Sequence, residues 1–235
     1  MSIADPTDDL VRDGLAAEAR FDATTALSLF QKADAASPRD PFILQEISKQ
    51  YSDLSDDVAD PATKERLLTA ALAYAHRAIA LEPDNAVNVL SLAICHGKLA
   101  LLGDTRSRIE NSRLMRDYTE RALALDPNNA LAHHLLGRWH YEVASLGPTK
   151  RFLVRLIYGG LPPASTAEAV RHLRRAVELE PQSPSHRTEL GFALLADGQP
   201  ALARDAFVQS LRLPKREKYD EEAHRRAREA LEKLP

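Results

Sequence analysis

A chain of 235 residues with 44% hydrophobic and 28% charged side chains has an ordinary globular composition and can bury a sizeable core. Its formal charge of -3 gives no global positive field for a nucleic acid, and its one cysteine, Cys95, excludes an internal disulfide and any zinc site built on two thiolates. Many Ala and Leu with only 9 Gly favour helix, and nowhere do the roughly eighteen apolar residues of a membrane-spanning helix run together.

The N-terminus, MSIADPTDDLVRDG, shows no basic segment followed by an apolar one, so the chain reads as soluble and cytoplasmic, with no transmembrane segment. A protein trimmed of a leader would read the same way. Four helix endings then recur: FQKADAASPRD at 30–40, AHRAIALEPDN at 75–85, TERALALDPNN at 119–129 and LRRAVELEPQS at 173–183. Each carries a proline, Pro38, Pro83, Pro127 or Pro181, which cannot continue the helical hydrogen-bond ladder and so stops one helix and opens the turn to the next. Counted from Thr7, Gly14 falls at position 8, Ala26 at 20, Phe30 at 24, Ala33 at 27 and Pro38 at 32, the offsets of the 34-residue tetratricopeptide repeat. Leu136, Gly137, Ala176 and Pro181 take those roles in the copy from Ala130, and Leu190, Gly191, Ala203 and Phe207 in the copy from Pro184. The fold expected is an all-α tetratricopeptide-repeat solenoid, one domain over 1–235. It would hold about five helix pairs (7–40, 41–85, 86–129, 130–183, 184–216) and a charged capping helix over 217–235. The end prolines stand 45, 44 and 54 residues apart, which places extended insertions between the paired helices of repeats 2 to 4, at about 52–64, 98–109 and 145–164. Such insertions map to one edge of a solenoid.

The segments HHLLGRWHYEVASL (133–146) and STAEAVRHLRRAVELEPQSP (165–184) resemble the regulator of microtubule dynamics family. So do the stretched repeats SDLSDDVADPATKERLLTAALAYAHRAIALEPDN and RSRIENSRLMRDYTERALALDPNNALAHHLLGRWHYEV. The resemblance runs from about Phe42 to the C-terminus; the N-terminal part departs from it, with no anchor, coiled coil or phenylalanine-containing acidic tract. It implies an all-helical solenoid, microtubule association in some animal members, and in a mitochondrial tether member a repeat domain that holds and transfers phospholipid.

Catalytic patterns are missing from the sequence: no GxSxG, no phosphate-cradling glycine loop, no HExxH. No enzyme activity, cofactor or metal is expected. His133 and His140 share a helix face but stand about 10 Å apart, too far to hold one ion, and His96 recurs at the repeat position of His140. The run Asp53, Asp56, Asp57 and Asp60 lacks the spacing and glycine of a calcium loop, and Cys95 reads as a small buried hydrophobe. Trp139, beside the small Gly137, is expected between helices.

Binding remains. The first helix of each repeat lines the concave face, so positions 2, 5, 9 and 12 point into the groove. They are Phe42, Gln45 and Lys49; Val87, Leu90 and Ile94; Leu131, His134, Arg138 and Tyr141; and Ser185, Thr188, Phe192 and Leu195. This lining is largely apolar, unlike a carboxylate clamp of Lys, Asn and Arg donors. It favours a protein or peptide partner, with a phospholipid as the alternative. In the longest insertion, Phe152, Leu153, Leu156 and Ile157 would share one face of a short helix, with Arg151 and Arg155 on its flank and Tyr158 at its end. That segment reads as a groove lid, a peripheral membrane contact, or local packing.

Overall fold

The computed structural model describes residues 6–234; of these, the side chains of Pro6, Pro148, Arg151, Phe152, Leu153 and Tyr158 lie outside the description. The described residues form twelve helices and no strand. Turn chemistry sets the boundaries. Helices α2 (Ala23–Ala36), α4 (Pro61–Leu81), α6 (Thr105–Leu125) and α9 (Thr166–Leu179) each end just ahead of one of the four recurring prolines. Two residues after each proline stands Asp40, Asn85, Asn129 or Ser183, whose side-chain oxygen accepts from backbone N–H groups of the next first turn. The sequence Pro-x-Asp/Asn/Ser therefore ends one helix and starts another within four residues.

The chain divides into two compact units, residues 1–125 and 126–235. The first holds α1 (Pro6–Glu18), α2, α3 (Pro41–Asp56), α4, α5 (Ala86–Leu99) and α6, each packed on the next, with α3 also against α5. Part of its core is Ala17, Ala26, Phe30, Ala33, Ile43 and Ile47. The second unit holds α7 (Ala130–Ala144), α8 (Pro148–Tyr158), α9, α10 (Pro184–Ala196), α11 (Pro200–Arg212) and α12 (Asp220–Lys233). Here α7 packs on both α9 and α10, and α10 on α11 and α12. The position-8 glycines lie where helices cross most closely: an added Cβ would come within 2.8 Å of Phe30 at Gly14 and 2.6 Å of Leu173 at Gly137, and would run into the Phe207 ring at Gly191.

In repeats 2 and 3 the extra length is largely helix. The end of α3 takes 52–56 and the start of the 21-residue α4 takes 61–64, while α5 and the 21-residue α6 take 98–99 and 105–109, leaving only 57–60 and 100–104 between the paired helices. Asp60 with Pro61 restarts the first of these chains early, its carboxylate accepting from Thr63 N at 2.9 Å. The third insertion carries its own helix, α8. Gly159 and Gly160 close it in left-handed conformation (φ 77° and 84°), donating to the carbonyls of Arg155 and Val154 at 3.1 and 3.2 Å.

Candidate functional site

In the first unit, Phe42 and Val87 sit in the first turns of α3 and α5, two residues after their caps, and are 45% and 51% exposed. With Gln45, Glu46, Asn88 and the Ser37–Pro41 turn they line an open depression of about 660 Å³. Asn88, one of the lining residues, is buried, and its Nδ2 is enclosed with no hydrogen-bond partner among the described residues. Leu90 is buried and Ile94 half-buried, whereas Lys49 is exposed and ion-paired with Glu18. Beside it lies a carboxyl pair. Burial, and then the hydrogen bond to Glu18, push Glu46 up to about 8, so at neutral pH it holds a proton that it donates to Glu18. Burial works against charge on Glu18 as well. The hydrogen bonds from Glu46, Lys49 and Gln50 nevertheless keep it below its usual range.

In the second unit, Tyr141 of α7 and Phe192 and Leu195 of α10 meet α12 around a depression of about 480 Å³. The α12 wall is charged. Arg226 stacks over the Phe192 ring at 4.7 Å and ion-pairs with the buried Glu189, while Arg225 is held by Glu222 and Glu229. Arg138 pairs with Glu142 at 2.8 Å, and Leu131 is exposed near the start of α7. Two other groove candidates are structural. Thr188 is fully buried, its hydroxyl 2.8 Å from Ser210 Oγ, and Ser185 donates to Asp220 at 3.2 Å.

The adjacent histidines of α7 turn to different neighbours. His133 Nδ1 lies 2.9 Å from His172 Nδ1 on α9, and His134 Nδ1 lies 2.9 Å from His186 Nδ1 on α10. Burial holds His133, His134 and His186 all below the ordinary histidine value. His140, buried, stacks on His172 with centroids 5.9 Å apart, and the donor atoms of His140, Glu168 and His172 lie within 4.8 Å of one another. His96 bonds Asn111 at 2.8 Å. Trp139 is 2% exposed, as expected of an interhelix tryptophan, and burial pushes the Cys95 thiol up to about 11, leaving it protonated and inert. The acidic run is used locally, Asp56 pairing with Lys98 at 2.7 Å and Asp60 capping α4.

The family model for regulator of microtubule dynamics protein 1-3 matches residues 11–235. The chain belongs to this family. No curated protein matches its sequence significantly. Among solved structures this family member is similar to TTC0263, a thermophilic tetratricopeptide-repeat protein of Thermus thermophilus, with TM-score 0.69, 20% identity and coverage of 96% of this chain and 98% of that one. It is also similar to PilW, a type IV pilus biogenesis factor (0.62, 16%, 98% and 88%), and to MamA (0.52, 16%, 87% and 90%). At such identities the likeness shows the fold, which is the one read from the position-8 glycines and the end prolines.

In this member of the family α8 carries the longest insertion. Leu156 and Ile157 are 70% and 62% exposed and Arg155 is exposed, while Arg151, Phe152, Leu153 and Tyr158 lie outside the described side chains. Burial in local packing therefore does not describe Leu156 and Ile157. Among the described residues no helix is long and apolar enough to cross a membrane. Sequence reasoning missed two features: α12 as a wall of the second depression, and Glu168 and His172 as neighbours of His140. The first had a signal in the Arg-Arg pair of HRRAREA, the second in the i,i+4 spacing of Glu168 and His172.

Proposed function

We propose that the chain is a non-catalytic scaffold that holds a protein partner as an extended peptide across α3 and α5, the first helices of repeats 2 and 3. The fold and the family suggest an interaction scaffold. One observation carries the finer reading: the large apolar side chains Phe42 and Val87, 45% and 51% exposed, rim one open depression at the start of α3 and α5. Two apolar side chains of that peptide would cover Phe42 and Val87. Selection of a displayed random peptide library on the full chain tests this. Wild-type protein is expected to enrich sequences rich in apolar residues that F42D/V87D, still helical by circular dichroism, does not retain; enrichment of nothing, or equal retention by the variant, refutes it.

A second reading rests on α8, where the exposed Leu156 and Ile157 adjoin Lys150 and Arg155. An amphipathic helix of this kind suits a peripheral contact with anionic lipid. Sedimentation with phosphatidylserine-containing vesicles is expected to fall in L156D/I157D and at high salt. Wild-type protein that ignores such vesicles removes this reading and leaves the first intact.

A further inference from the structure

Three donor groups converge where α7 and α9 meet the crossover that bears α8. His140 comes from α7; Glu168 and His172 come from α9, one turn apart, and one donor atom from each lies within 4.8 Å of the others. Both imidazoles are buried and Glu168 is partly so.

The hydrogen bonds fix the His172 ring and its tautomer. His133 Nε2 lies 3.1 Å from the Pro127 carbonyl, which only accepts, so His133 carries its proton on Nε2 and accepts at Nδ1. His172 must then donate from Nδ1, across the 2.9 Å contact, and keep a lone pair on Nε2. The other side of the ring gives the same answer. Arg171 Nη2, which can only donate, sits 2.8 Å from His172 Nε2. An imidazole whose second nitrogen donates to a fixed acceptor, itself anchored to a backbone carbonyl, is held as metal-ligating histidines are held.

Arg171 also bonds Glu168 Oε2 at 2.6 Å, so one guanidinium occupies two of the three donors. We propose that His140, Glu168 and His172 form a divalent metal site of the zinc class, with Arg171 as the resident cation that the metal displaces. Two nitrogens and a carboxylate suit zinc or cobalt and not magnesium, which prefers all-oxygen surroundings. Bonds of about 2.0–2.2 Å place donor atoms roughly 3.4 Å apart around a tetrahedral ion. Closing to that spacing requires the donor atoms to draw together, Glu168 Oε2 from 3.9 Å of His172 Nε2, and Arg171 to withdraw; its side chain is 60% exposed and can return to water at small cost. The bound ion would clasp α7 to the start of α9 at the root of the crossover.

The test uses the full chain, chelator-treated and desalted, titrated with Zn²⁺ by calorimetry and with Co²⁺ by visible absorption. One ion per chain is expected, with cobalt d–d bands. E168Q is expected to weaken binding at least about tenfold and R171A to tighten it, and both replace partly exposed side chains, so circular dichroism should find them folded. H140Q is expected to abolish the bands, and H133N, which removes the support of His172 but no ligand, to weaken affinity about 10- to 100-fold. No saturable binding of either ion up to millimolar concentration overturns the proposal. Binding equal to wild type in E168Q, R171A and H140Q also overturns it, by placing the ion on other histidines.

Discussion

Gly137→Ala and Gly97→Ala make the same chemical change inside two helices and should have opposite effects. In either helix, replacing glycine by alanine stabilises the helical state by about 0.5–1 kcal/mol, because glycine loses more backbone freedom on folding. At Gly97 the new Cβ meets only Met115 Cγ, at 3.3 Å, and an unbranched methionine yields a few tenths of an ångström readily. G97A should therefore gain most of that amount. At Gly137 the Cβ meets Leu173 Cγ at 2.6 Å, the Ala169 carbonyl oxygen at 3.1 Å and His172 Cβ at 3.2 Å. Leu173 is fully buried, and a backbone carbonyl moves only if α9 moves. Overpacking of this kind costs about 1–3 kcal/mol, so after the helix gain G137A should lose about 1–2 kcal/mol. G191A, whose Cβ would press into the buried Phe207 ring, should behave like G137A. Urea unfolding followed by far-UV circular dichroism reads these as midpoint shifts at constant slope. A G137A midpoint at or above wild type, or a G97A midpoint depressed as far as that of G137A, would refute the crossing-point argument.

Glu46 predicts a pH effect in the first unit. The folded state keeps a proton up to about pH 8 that the unfolded chain releases near 4.5, so stability is fully present below about pH 4.5 and lost as pH rises through 8. The rise from 4.5 to about 8 caps the loss at about 5 kcal/mol; an E46Q variant with the same alkaline fall as wild type would contradict this. The His134–His186 pair works in the opposite sense. Both imidazoles are held below the unfolded value of about 6.5, so their contribution is present above that pH and disappears as pH falls below it. The second unit should unfold at lower urea at pH 5 than at pH 7.5, and H186Q should reduce the difference; an unchanged difference removes the pair from the account. R226A strands the buried Glu189 and should cost about 2–4 kcal/mol, less than the full loss at a buried pair because Arg226 is 30% exposed. The double variant R226A/E189L should recover most of the loss, and failure to recover would show that the stacking on Phe192 matters more than the charge.

Much of this fold was legible because its signals are local. Each of Pro38, Pro83, Pro127 and Pro181 marks a helix end, and the cap two residues on marks the next start, since both act through the backbone of their own turn. The position-8 glycines were legible too, because a close crossing requires a missing side chain whatever lies opposite. The destination of the extra residues in repeats 2 and 3 was less so. A stretch such as RSRIENSRLMRDYTE has helix-forming composition throughout, and nothing in it separates a long loop from two more turns of α6. The His140–Glu168–His172 cluster was hidden for another reason: α8 and its flanks separate its members in sequence, and only the pairing of α7 with α9 past that insertion brings them together.

The segment HHLLGRWHYEV is specific because α7 serves two neighbours with two interleaved rows. His133, Gly137 and His140 recur at i, i+4 and i+7, one helix face, and all three meet α9: a hydrogen bond to His172, a contact with Leu173 too close for a Cβ, and a stacked ring. Shifted by one residue, His134, Arg138 and Tyr141 repeat the same spacing about 100° around the helix. On that row His134 bonds His186 of α10, and Tyr141 lines the depression shared with α10 and α12. An ordinary repeat helix needs apolar residues on the first row and leaves the second to its ligand. Here the first row is polar where the crossover begins, so the α7–α9 contact depends on which nitrogen of each imidazole carries a proton as well as on buried area. Mutations on one row should therefore change the α9 side while leaving the groove, and those on the other should do the reverse.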